Sequence, residues 1–338
     1  MAGYALTGIA TPSGFRTDLR RWRQLVPVEW LAALLAGEPV AAAPAADFQL
    51  FDVACDGMEE FLAGHIPGAQ YLDTRLFERL PFWNKVPDGE LLRVLQRLRI
   101  CPTSTVILCG RNMLAAARVA HLMLVAGVGD VRLLDGGVAA WCAKGYALRQ
   151  GPEPEAMQPM LAAEAKGEEV EANDITNAAA AALPMRFEAH PEYLIHTAQV
   201  KSLLAHFDSA LVSIRTRAEY MGETSGYSYI EARGEIEGAL WCHAGRDGDV
   251  NSMSNFQDAL GRMKPAVEIA ALWREAGIRP EMQIAFYCGT GWRASMAFFY
   301  AWLMGWEHIS VYDGGWFEWS SDPANPVICR TAVSSGLV

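Results

Sequence analysis

At 338 residues the chain is long enough for about two domains of ordinary size. Its 28 Lys and Arg against 39 Asp and Glu leave a formal net charge of −11, with no basic run, which argues against a nucleic-acid or anionic-membrane partner. The seven cysteines lack Cys-x-x-Cys spacing, which points away from a zinc site or a disulfide framework and toward a reducing cytoplasm.

The opening Met1-Ala2-Gly3-Tyr4-Ala5-Leu6 has no charged region followed by a long apolar core, and no later stretch reads as a membrane span. A cytoplasmic protein is therefore expected. Short apolar runs at Phe48–Phe51, Val106–Leu108 and Val131–Leu134 read as strands, with helical patterns around Glu90–Leu98 and Ala115–Val125. From Pro152 to Pro184 the chain is rich in Ala and Glu and poor in large apolar residues, the composition of a linker. Beyond it, strands are expected at Ala210–Ile214, Ile284–Tyr287 and Ile309–Tyr312, with helices around Ala266–Glu275 and Ala294–Met304. Strand–helix alternation on both sides of a linker predicts an α/β fold made of two domains, each a mainly parallel sheet flanked by helices. The expected divisions are 20–150, a linker over 151–186, and 187–330.

The chemistry concentrates where Ile284–Tyr287 runs into Cys288-Gly289-Thr290-Gly291-Trp292-Arg293 and a helix. A thiol placed there meets converging backbone N–H groups, the positive end of a helix dipole and a guanidinium. Each favours the thiolate, which is the nucleophilic form. In such sheets ligands sit at the C-terminal ends of the strands, where Cys288 falls.

The span Cys-x-x-Gly-x-Arg resembles the active-site loop of the rhodanese sulfurtransferases. Asp135-Gly136-Gly137, Asp313-Gly314-Gly315-Trp316 and the Gly64-His65-Ile66-Pro67-Gly68-Ala69 turn resemble further family motifs, so the likeness covers roughly Phe48 to Trp319. It implies a sulfurtransferase that carries sulfane sulfur as a persulfide on Cys288. The partners it implies are a small-molecule sulfur donor, polysulfide or thiosulfate, and a small-molecule acceptor; no metal or organic cofactor is required. Gly289, Thr290, Gly291 and Trp292 would line the substrate, and Arg293 would fix the loop. A related phosphatase class uses a cysteine loop one residue longer, which the six residues from Cys288 to Arg293 do not match.

The two halves read as a repeat. An ungapped register sets Asp135 against Asp313, Gly110 against Cys288, Cys109 against Tyr287 and Ala115 against Arg293. The first copy thus lacks both nucleophile and arginine and is expected to be inactive, with Cys109 a small buried hydrophobe. Cys242 and His243 are weaker candidates for sulfur relay and for reaching the cleft.

Thiosulfate and mercaptopyruvate transferases place cations where this chain has Glu219 and Thr290, which removes favourable Coulomb terms for a small dianion. Arg215 or Arg217 is available to compensate. An insert of 11 residues relative to the first half brings Ser225-Gly226-Tyr227-Ser228-Tyr229-Ile230, and Trp292, Trp316, Phe317 and Trp319 add aromatic faces suited either to packing or to a cationic acceptor. Together these resemble the rhodanese-type enzymes that sulfurate hercynine, a trimethylammonium betaine of histidine, to ergothioneine. That resemblance implies Tyr229 or Tyr227 as proton carrier, with Thr290 and Glu219 at the imidazole. Two alternatives stand beside it: a thiosulfate or 3-mercaptopyruvate sulfurtransferase, and a non-catalytic rhodanese-like binding module.

Overall fold

The computed structural model describes residues 14–45, 48–153 and 186–330. Apart from its ends, the linker expected over 151–186 lies outside the described residues. The first domain contains β1 (Leu25–Val26), β2 (Gln49–Ala54), β3 (Gln70–Asp73), the β4 (Glu78–Arg79) and β5 (Asn84–Lys85) pair, β6 (Thr105–Cys109) and β7 (Asp130–Leu134). The second contains β8 (Leu194–Ile195), β9 (Ser209–Ser213), β10 (Glu235–Ile236), β11 (Leu240–Trp241), β12 (Gln283–Tyr287), β13 (Ile309–Tyr312) and β14 (Val327–Ile328).

Each domain is built on one sheet of five parallel strands, in the order β1-β7-β6-β2-β3 in the first and β11-β9-β12-β13-β8 in the second. The middle strands β6 and β12 are near-continuous apolar runs because helices cover both faces. Four flanking strands escape the sequence pattern: β1, β8 and β11 are two residues long, too short to show a period, and β3 spans only Gln70–Asp73. No helix among the described residues is long and apolar enough to cross a membrane.

The ungapped register holds in three dimensions. β6 and β12 are both five residues long and offset by 178 (283 − 105). The helices that follow, Met113–Ala126 and Trp292–Met304, both end on a left-handed glycine, Gly127 and Gly305, each at φ 92°. These two helices are buried along almost their whole lengths and pack against each other, so one apolar cluster runs through both domains.

Polar contacts across the seam repeat the same symmetry. Asp135 Oδ1 accepts the Met263 N–H at 2.8 Å, and its counterpart Asp313 accepts the Lys85 N–H through Oδ2 at 2.9 Å. Asp313 Oδ1 also accepts Arg118 Nη2 at 2.6 Å, while Arg118 Nε donates to Glu78 Oε1 at 2.7 Å. All three side chains are essentially excluded from solvent. Burial pushes the Glu78 carboxyl up to about 7 against the opposing pull of Arg118. Arg118 is the one cation shared between two buried acids, Glu78 and Asp313.

Removing one member of a buried ion cluster leaves uncompensated charge and costs about 3–5 kcal/mol. Arg118→Met is therefore expected to lower the unfolding free energy by that order, and Glu78→Gln by less, because Asp313 still pairs Arg118. In a double-mutant cycle read by urea denaturation, Glu78→Gln added to Arg118→Met should recover part of the loss, because it removes one stranded acid. Additive losses would show that the two side chains are uncoupled.

Candidate functional site

Cys288 stands at the end of β12, 1% exposed, with its Sγ accepting the Gly291 N–H at 3.2 Å. Gly291 precedes the Trp292–Met304 helix, so the sulfur faces that helix's N-terminal end. The loop is clamped from below by the strand-end glycines: the Trp316 and Phe317 N–H groups donate to the carbonyls of Cys288 and Gly289 at 2.8 and 3.0 Å. Gly315 adopts φ +54°, and a Cβ there would meet those two carbonyl oxygens at 2.7 and 2.6 Å. Backbone packing this close needs glycine.

Arg293 is 1% exposed and forms a bidentate pair with Glu219, Nη1 to Oε2 at 2.8 Å and Nη2 to Oε1 at 2.9 Å. Nη2 also donates to the Tyr227 hydroxyl oxygen at 2.8 Å. Glu219 is the third residue of the Arg217–Met221 helix and closes a capping box, accepting the Thr216 N–H at 2.8 Å. Burial alone raises the Glu219 carboxyl, but the charge and hydrogen bonds of Arg293, with help from Arg215 and the Thr216 N–H, bring it to about 2.

The 11-residue insert delivers Tyr227 and Tyr229 to the same place. The Tyr227 ring lies over Gly289 so closely that a Cβ there would sit 2.3 Å from a ring carbon. Burial raises both tyrosine hydroxyls above their ordinary value, with the Thr290 side chain opposing the shift at Tyr229. Both therefore stay protonated at neutral pH.

A cavity of about 260 Å³ opens over the loop. Tyr227, Tyr229, Thr290, Trp292 and Arg293 form its second-domain wall together with Val250 and Asn251; Cys55, Trp83 and Leu114 come from the first domain. Its only basic lining side chain among the described residues is Arg293, already paired with Glu219.

Several residues singled out from sequence lie elsewhere. Arg215 is fully buried behind the site, donating from Nη1 to the Gly234 carbonyl at 2.6 Å, 3.5 Å from Glu235 Oε2 and 4.6 Å from the Trp316 ring centroid. A substrate role for Arg215 is thus corrected to a buried structural one, because the turn after β9 directs it toward Gly234 and Glu235. The Glu219 carboxylate is likewise wholly engaged and does not line the cavity. Trp316 and Trp319 are core side chains whose indole N–H groups donate to the carbonyls of Ala232 and Pro326. Arg217 is exposed and paired with Glu223, Cys242 is buried with its thiol pushed up by burial, and His243 is exposed and stacked on Trp241.

Sequence reasoning missed the first domain's share. Trp292 Nε1 donates to Glu78 Oε2 at 2.9 Å, and a Cβ on Gly291 would lie 3.1 Å from Arg118 Nη1. The Trp292–Met304 helix therefore starts against side chains of the first domain. The one available signal was Arg118 itself, a lone cation in the apolar run Leu114–Ala126.

The Glu219 carboxyl, about 2 in the fold and 4.5 in its ordinary state, contributes stability that is complete above the ordinary value and lost as pH falls through the folded one. Acid denaturation followed by circular dichroism should show this loss between about pH 4.5 and 2 in the wild type. Glu219→Gln is expected to lack that component, to be less stable by about 3–5 kcal/mol at pH 7, and to leave Cys288 more accessible to alkylation.

A profile of the rhodanese-like domain matches residues 28–144 and 196–322. The thiosulfate sulfurtransferase YnjE of Escherichia coli is 44% identical over 309 residues, covering 91% of this chain and 66% of that protein. Its crystal structure superposes with a TM-score of 0.81 at 43% identity over 93% of this chain and 70% of that one. The anaerobic ergothioneine biosynthesis enzyme from Chlorobium limicola, solved with its natural substrate trimethyl histidine, has a TM-score of 0.80 at 34% identity, covering 93% of this chain and 72% of that one. EanB, solved as a cysteine persulfide in a tetrahedral intermediate state with ergothioneine, has a TM-score of 0.81 at 34% identity over 93% and 72%.

Proposed function

The chain belongs to the rhodanese family, and on that premise we propose that it is a sulfurtransferase that moves sulfane sulfur through a Cys288 persulfide to hercynine, giving ergothioneine, with polysulfide as donor. The observation that carries this reading is the grouping of Tyr229 and Thr290 on the wall of the cavity that opens over the Cys288–Arg293 loop. In EanB the tyrosine substituted in the persulfide complex precedes the persulfide cysteine by 59 residues, and the threonine substituted in hercynine complexes follows it by two. Tyr229 and Thr290 keep both spacings (288 − 229 = 59; 290 − 288 = 2).

In the first half-reaction the Cys288 thiolate attacks a polysulfide. One donor S–S bond breaks, the cysteine becomes a persulfide, and the donor leaves one sulfur shorter. In the second, a bond forms between the outer sulfur and imidazole C2, the Cys288 S–S bond breaks, and the C2 proton is released. Carbon is oxidised by two electrons and the persulfide is reduced to thiol, so no external oxidant enters. Tyr229, protonated at neutral pH and half-exposed to the cavity, supplies a proton at one step and recovers it at the other. The Gly291 N–H and the helix end hold the anionic sulfur.

The lining supports this acceptor: Trp83, Tyr227, Tyr229 and Trp292 offer aromatic surface for a trimethylammonium group, and the one basic lining side chain among the described residues, Arg293, is neutralised by Glu219. The 44% identity to a thiosulfate sulfurtransferase favours a second reading, thiosulfate as donor with cyanide or a thiol as acceptor.

Mass spectrometry of small molecules after incubation with polysulfide and hercynine separates the readings. The expected product is hercynine plus one sulfur, absent with Cys288→Ala and slowed about 10²-fold or more by Tyr229→Phe. Thiocyanate formed from thiosulfate and cyanide without any sulfurated hercynine would establish the second reading instead.

A further inference from the structure

The first domain keeps a cavity of about 190 Å³ at the C-terminal end of its own sheet, beside Gly110 and Ala115, the counterparts of Cys288 and Arg293. Asp52, Glu60, Phe61 and Arg111 line it, and Cys55 and Trp292 form walls common to this cavity and the catalytic one. Asp52, near the end of β2, is only 3% exposed, and its buried Oδ2 has no hydrogen-bond donor. The nearest cation, Arg111 Nη1, stands 3.8 Å away, while Arg111 Nη2 is bound to the Gly64 carbonyl at 2.6 Å. Asp56 also lies on the lining but is paired with Arg75 at 3.2 Å, so the two carboxyl groups of Asp52 and Glu60 face one partly engaged guanidinium.

A buried acceptor without a donor is costly, and an acidic cavity repels anions. We propose that this cavity is a second small-molecule site for a compact organic cation bearing N–H groups, a protonated amine or amidinium, whose N–H donates to Asp52 and whose apolar body rests on Phe61 and Trp292. Quaternary ammonium groups cannot satisfy Asp52, which separates this site from the aromatic-walled cavity over Cys288. The assignment does not depend on which acceptor the catalytic site takes.

Isothermal titration calorimetry of the full chain with benzylammonium chloride, and with benzyl alcohol as the uncharged probe, tests the site. Benzylammonium is expected to bind wild type and Cys288→Ala alike, to bind at least tenfold more weakly to Asp52→Asn, and to outbind benzyl alcohol at least tenfold. Glu60→Gln alters an exposed side chain and should weaken binding a few-fold with an unchanged thermal melt, which keeps the test decisive where Asp52→Asn fails to fold. Absence of binding at millimolar benzylammonium, equal binding to all variants, or displacement of benzylammonium by hercynine would overturn the assignment.

Discussion

The buried pair between Arg293 and Glu219 is the interaction on which the site depends. A guanidinium withdrawn from water requires a fixed anion, and Glu219 is fixed because it also caps its own helix through the Thr216 N–H. The same guanidinium ties in Tyr227 from the insert. One ion pair thus joins the catalytic helix, the helix after β9 and the insert around a single cysteine. Arg293, being neutralised, contributes position more than net charge, and the anionic sulfur relies on the Gly291 N–H and the helix end.

The second constraint is the seam between the copies. Asp135 and Asp313 have equivalent positions and equivalent tasks, each accepting a backbone N–H from the other domain. The equivalence ends at Arg118, whose counterpart is Met296: the first domain's helix sends a guanidinium under Gly291, and the Trp292–Met304 helix has no cation at the matching position. A copy without a nucleophile is therefore not a passive scaffold. It provides Trp83, Leu114 and Cys55 to the cavity and holds Trp292 through Glu78.

The fold was legible because its signals are local and repeated. β6 and β12 are apolar runs of ordinary strand length, and the offset of 178 carries from the strands through the helix-capping glycines. Cys288, Thr290 and Arg293 were legible for the same reason, being parts of one contiguous loop. Arg215 shows where such reading stops: it lies four residues before Glu219 and is basic, yet the turn after β9 directs it into a buried network with Glu235 and the Gly234 carbonyl. Val250, Asn251, Trp83 and Arg118 reach the site only through tertiary packing, over sequence distances that no periodicity records.

The loss of the arginine from the first copy has an electrostatic consequence. Glu60 is the third residue of the Met58–Ala63 helix, as Glu219 is of its own. Opposite Glu219 stands Arg293, and the carboxylate is drawn under cover; opposite Glu60 stands Ala115, and the carboxylate remains exposed on the cavity wall. Asp52, in the sheet position of Ser213, adds a second acid with nothing beneath it to bond. Burial pushes Asp52 up to about 6, against the opposing pull of Arg111. The two pockets therefore differ in charge balance: Arg293 and Glu219 cancel each other over Cys288, whereas Asp52 and Glu60 in the first domain have, among the described residues, only the partly engaged Arg111 on the same lining.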